Sequence, residues 1–209
     1  AEHVYGKGRF DLAADSLDIK IQKGKIGAMN VTDSTLFFDR IIEEGVGDAD
    51  IDVNLKGSVA DVIRYVSKDP INLGDKIGMD PTKVKGVADL KIDLVFPARD
   101  SVKIEDFKIG VTGVLNEVLF PDVIETLDLS GGPMDFAVTG NKVTLNGKAR
   151  LDNRPMDFGW ETFLESEGKP YKEKIKAKIT ADPNIRNQLG VDLSAVSYTH
   201  LTLPTISSV

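Results

Sequence analysis

Hydrophobic and polar residues alternate with a period of two along most of this chain, and that pattern limits its fold more tightly than any other property. Ala49, Ile51, Val53 and Leu55 fall on one side of an extended segment, with Asp48, Asp50, Asp52 and Asn54 on the other. Successive side chains of a strand point to opposite faces, so this is a strand buried on one face only. Leu90, Ile92, Leu94 and Phe96 repeat the pattern against Asp89, Lys91 and Asp93, as do Phe107, Ile109 and Val111 against Asp106 and Lys108. Strands are also predicted over 134–139, 142–151, 156–164 and 171–180, with shorter ones over 17–21, 25–31 and 35–42. The connections are short and rich in Gly, Asn and Asp, which favours antiparallel neighbours. No domain linker interrupts them.

One segment breaks the alternation. Val59, Val62, Ile63 and Val66 recur at helical spacing, with Ser58 placed as an N-cap and Pro70 shortly beyond. The spacing predicts a helix over 59–67, a further turn or two over 73–77 before Gly78, and a third short helix over 183–189 before Gly190. A sheet of about ten strands at ~4.8 Å spacing is roughly 45 Å wide. One helix is only ~10 Å across and shields about two strands. Two or three short helices therefore leave apolar surface uncovered, and an exposed patch beyond a few hundred Å² is rare on a monomer. The sheet must curl onto itself, pack as a closed sandwich, or keep a groove for an apolar ligand; alternation alone is compatible with each.

The inventory of reactive groups is short. No cysteine occurs, which removes thiol catalysis, disulfides and thiolate metal sites. The two histidines are His3, near the start, and His200, so a histidine-based triad or metal site has one terminal residue to work with. The run Asp48, Asp50, Asp52, Asn54 looks like the start of a calcium loop but has Val53 and Val59 where Gly and Glu are needed. Glu161 and Glu165 near Trp160 are the most tempting glycosidase pair, although Trp160 alternates with Met156, Phe158 and Leu164 as a core residue does. Lys172, Lys174, Lys176 and Lys178 form a stripe that suits a solvated face, a protected edge or anionic headgroups. GKGRF, at 6–10, lacks the third glycine and the preceding strand of a dinucleotide site. A net charge of −7 argues against nucleic acid. The expectation is a non-enzymatic chain without cofactor or metal.

The last fourteen residues, 196–209, carry no Asp, Glu, Lys or Arg. The stretch VSYTHLTLPT within them is what a transposon-end sequencing adapter encodes when read as GTC TCT TAT ACA CAT CTG ACG CTG CCG ACG. The expectation is that 196–209 is a non-native tail, that 1–195 is a fragment of one β domain, and that the natural protein continues beyond it.

From 57 to 194 the order of elements resembles the YhdP-type branch of the AsmA-like superfamily, especially its alphaproteobacterial members. The resemblance is carried by GSVADVIRYVSKDPINLGDKIGMDPTKVKGVADLKIDLVFP at 57–97, a strand over 104–119, an LSGGPM turn at 129–134, VTLNGKARLDNRPMDFGW at 143–160 and ITADPNIRNQLGVDLS at 179–194. The N-terminal 56 residues fit less distinctively. What the resemblance implies is a curved, folded-over antiparallel sheet forming an apolar trough. The full-length protein would be periplasmic, in a Gram-negative envelope, and tethered by an N-terminal inner-membrane anchor that this sequence does not include. Members are implicated in moving phospholipid between inner and outer membranes. On that reading phospholipid acyl chains would lie against Leu90, Ile92, Leu94, Phe96, Phe107, Ile109, Val111, Phe136, Val138, Val143 and Leu145, with headgroups at the open edge. The rival expectation is a closed β-sandwich with a structural or carbohydrate-binding role in the envelope.

Overall fold

The computed structural model describes residues 2–42, 47–68, 79–99, 102, 106–124, 127–165, 167–179, 201–202 and 206–208. Along the chain these form β1 (Glu2–Asp11), β2 (Ser16–Ile26), β3 (Met29–Asp39), β4 (Asp48–Ser58), α1 (Val59–Val66), β5 (Lys85–Pro97) and β6 (Lys108–Ile124). Next come β7 (Leu127–Thr139), β8 (Lys142–Leu151), β9 (Arg154–Phe163), β10 (Glu173–Ile179) and the short β11 (Leu201–Thr202) and β12 (Ile206–Ser208). All the strands belong to one antiparallel sheet, in which β1 to β10 lie side by side in sequence order. The architecture is therefore mainly β, a curved open sheet with one short helix among the described residues.

Turn chemistry explains the meander. Asp152 and Asn153 both have positive φ between the paired Leu151 and Arg154, the geometry of a two-residue type I′ hairpin. Gly27 and Gly140 have positive φ at the first position of the two-residue loops joining β2 to β3 and β7 to β8, where a type II′ turn requires glycine. Between β1 and β2, Asp11 Oδ1 accepts from the backbone N–H groups of Ala13 and Ala14 at 3.1 Å each. Among the described residues the one excursion from the meander is α1, between β4 and β5. Its cap is as the sequence predicts: Ser58 Oγ accepts from the Asp61 N–H at 3.0 Å, and its hydroxyl donates to Asp61 Oδ2 at 2.6 Å. Val59, Ala60 and Ile63 are buried against the sheet.

Four expectations need correction. The 25–31 segment is two strands divided by the Gly27 turn. The LSGGPM segment is not a turn but the interior of β7, with Gly131 and Gly132 at positive φ and a register shift between Gly131 and Met134. Here two residues oppose one, so the ladder bulges and bends without ending. Finally, the 35–42 strand stops at Asp39, and the 104–119 strand begins at Lys108, just past Phe107, and runs on to Ile124. Strand β1 was not anticipated at all. The helical segments at 73–77 and 183–189 lie outside the described residues. In the tail, 201–202 and 206–208 pair with β10.

The curvature has local causes. Register shifts also interrupt the β1–β2, β3–β4, β5–β6 and β6–β7 ladders. In the β3–β4 bulge, Asp33 has positive φ and the buried Ser34 hydroxyl donates to Thr32 O at 2.9 Å while accepting from Asn54 N–H at 3.0 Å. It repairs the backbone pairing that the bulge breaks. Glycines on the concave face let neighbouring side chains close over them: a Cβ at Gly113 would lie 2.8 Å from Leu90 Cδ2, and one at Gly147 would lie 3.2 Å from Met134 Cγ.

Candidate functional site

Cross-strand register arranges the inward residues in rows that run across the strands. One row reads Leu55, Leu90, Gly113, Phe136, Leu145, Trp160, Ile175 from β4 to β10. On the side nearer α1 the next row is Gly57, Ala88, Leu115, Met134, Gly147, Phe158, Ala177. On the other side the rows are Val53, Ile92, Val111, Val138, Val143 and then Ile51, Leu94, Ile109. Every named side chain is apolar. The alternation seen in sequence is thus one continuous apolar wall on the concave face.

Burial is not uniform across that wall. Toward α1 the side chains are sealed, with Met134 at 0% and Leu151 at 1% exposure, and they belong to one core cluster reaching from Met29 to Ala177. Away from α1, Ile92, Leu94, Phe96, Phe107, Val111, Phe136 and Val138 are only half-buried, and Ile109 is 41% exposed. The concave face is therefore an apolar wall sealed beside α1 and more accessible away from it, although Ala49 and Val143 are buried there too. Of the candidate residues, Leu90, Val143 and Leu145 are buried, and the other eight are half-buried or exposed. Phe96 and Phe107 lie beside each other, ring centroids 4.8 Å apart. What the sequence did not reveal is this asymmetry, because alternation sorts residues by face and not by distance from the helix.

The weaker candidate chemistries can be placed as well. Trp160 lies on the concave face, where its indole N–H donates to Glu173, whereas Glu161 points to the convex face, bonded to Lys142 at 2.7 Å and to the Tyr171 hydroxyl. Glu165 is exposed, and its backbone exchanges two hydrogen bonds with the Asn141 side chain. Trp160 and Glu161 thus face opposite sides of the sheet and do not share a cleft. The Asp48 to Asn54 carboxylates decorate the convex face of β4. There Asp52 and Asp93 stand directly opposite, with Lys91 Nζ 3.4 Å from one and 2.9 Å from the other. A hydrogen bond between the two carboxyls, helped by partial burial, holds Asp52 above the ordinary carboxylate value; the same bond and Lys91 hold Asp93 below it. Among the described residues no cluster of three His, Cys, Asp or Glu side chains is placed to hold a metal ion, and no helix is long and apolar enough to cross a membrane.

Compared with protein-family models, with curated proteins and with solved structures, the chain matches none.

Proposed function

We propose that the trough holds lipid acyl chains, and that the chain is a non-enzymatic segment of a cell-envelope protein that moves phospholipid between inner and outer membranes. The observation that carries the reading is the half-open apolar wall: a packed core hides such side chains, and this one leaves Leu94, Phe96, Ile109 and Val138 accessible along one lip. Apolar contact is non-directional and contributes ~0.8 kcal/mol per buried CH₂, so a wall of this kind holds chains of varied length without a single essential residue. Envelope location, an inner-membrane anchor outside this sequence and the AsmA-like assignment enter through the resemblance over 57–194. The single sheet suits a trough better than two sheets packed face to face, because each strand from β1 to β10 pairs with the next in order.

Native mass spectrometry on protein purified from a bacterial host tests the reading. Co-purified phospholipid is expected, and Ile109→Asp should abolish it by placing a charge where chains would lie. Ile109 is accessible to water in the folded protein, so the variant should fold normally. A folded protein with no bound lipid, or full lipid occupancy in the Ile109→Asp variant, would overturn the proposal.

A further inference from the structure

The convex face of the sheet carries a second feature, which does not depend on the trough. Register brings cations from two non-neighbouring strands onto that face: Lys142, Lys148 and Arg150 from β8, and Lys174, Lys176 and Lys178 from β10. Between them β9 contributes two acids. Asp157 stands between Lys148 and Lys178, and Glu161 stands beside Lys174 and is bonded to Lys142. Six cations against two anions leave this face of β8 to β10 at +4, in a chain whose net charge is −7. Among the described residues Lys148, Arg150, Lys176 and Lys178 make no ion pair, and all four are exposed.

Most of the opposing charge is farther away, although Asp128 and Asp135 on β7 border this face. Asp48, Asp50, Asp52, Asp89 and Asp93, with Lys56, Lys85 and Lys91, give the convex face of β4 and β5 a charge of −2. Strand β5 is three strands from β8, ~14 Å at ordinary spacing, which exceeds the ~8 Å screening length at physiological salt. That acidic face is therefore screened from the basic one, and the nearer Asp128 and Asp135 on β7 offset only part of the charge, leaving β7 to β10 at +2. At one end of the basic face Phe163 and Tyr171 pack at 5.5 Å, with Lys169 and Lys174 ammonium groups each 5.4 Å from a ring. Half-buried aromatic rings beside lysines are the residue types that sit at a lipid–water interface.

We infer that the convex face of β8 to β10 docks on an anionic lipid bilayer, its lysines and Arg150 meeting headgroup phosphates. A basic side chain at such a surface strengthens binding about fivefold. Reversing Lys176 and Lys178 to Glu removes four units of charge and should weaken binding more than a hundredfold.

The test is flotation of the full chain with neutral phosphatidylcholine vesicles and with vesicles containing phosphatidylglycerol, at low and at high salt. Binding is expected to the anionic vesicles only, lost at high salt and in the Lys176→Glu, Lys178→Glu variant. A control, Lys20→Glu with Lys25→Glu on β2, changes net charge by the same amount and should bind like wild type. Absence of anionic preference, or equal loss in the control, would overturn the inference. Equally tight, salt-sensitive binding to a DNA duplex would show a general polyanion surface and would overturn the bilayer assignment.

Discussion

Two glycines on β6 provide a sharp test of how the trough is bent. Gly113 faces the concave side, and a Cβ added there would lie 2.2 Å from the Asp89 carbonyl oxygen, 2.8 Å from Leu90 Cδ2 and 2.9 Å from Leu90 Cα. Two of these three atoms are backbone, so no side-chain rotation relieves the contact. Strands β5 and β6 must separate, although Leu90 is core and Phe136 stands opposite Gly113 on β7. Overpacking of this kind costs ~3 kcal/mol. Three residues earlier, a Cβ at Gly110 would meet only Asp93 Cβ and Oδ2, both at 3.8 Å, which is ordinary contact. Alanine there narrows the unfolded ensemble and should stabilise by ~0.5 kcal/mol. The pair should differ by ~3.5 kcal/mol, which for a chain of this size is about 10 °C in melting temperature. The single tryptophan, Trp160, reports unfolding by fluorescence at a fixed scan rate. If Gly113→Ala melts within about 2 °C of Gly110→Ala, the close approach of β5 to β6 does not shape the trough.

Other perturbations have defined outcomes. Ser34→Ala removes both hydrogen bonds that repair the β3–β4 bulge and should cost ~1–3 kcal/mol, with faster amide exchange at Asn54; unchanged exchange would refute that role. Ser58→Ala should cost ~1 kcal/mol by uncapping α1 and Ser58→Gly only a few tenths, an order that urea midpoints can check. Asp52→Asn should stabilise the protein at pH 7 by a few tenths of a kcal/mol, since the pair is solvent-screened and an amide can donate to Asp93 without like-charge repulsion. The sign follows from the raised pKa of Asp52. Its ionisation lowers stability as pH rises from 3.8 through its folded value, so the advantage of Asp52→Asn should fade on acidification through that window. An advantage that grew on acidification would contradict the assignment of the shared proton.

The strands from β4 onward were legible because one of their faces is buried, and burial is what writes a period of two into a sequence. Strand β1 shows the converse. Apart from Asp11 its residues are exposed, Gly6 and Gly8 occupy positions on its paired half, and no alternation marks it. The Gly131–Gly132 pair misled for a different reason: two glycines and a proline read as a turn, whereas here they form a bulge inside a longer strand. Candidate trough residues were found by face, and all lie on the concave side. Which of them are sealed depends on tertiary packing, which alternation does not encode. The basic convex face was half visible: the β10 stripe could be read directly, but its union with Lys148 and Arg150 requires the β8–β9–β10 order.

That strictly sequential order has a consequence for how such a chain can change. Among the described residues each strand from β1 to β10 hydrogen-bonds only to its predecessor and successor, apart from the short pairings of β10 with β11 and β12. Removing or duplicating one hairpin, for instance at the two-residue Asp152–Asn153 turn, leaves the other pairings intact and preserves the inward and outward parity of every remaining strand. The trough would lengthen or shorten in steps of about 1 nm per hairpin, as ~4.8 Å per strand requires. A meander of this kind is a molecular ruler whose graduations are hairpins, its length adjustable without redesign of its cross-section.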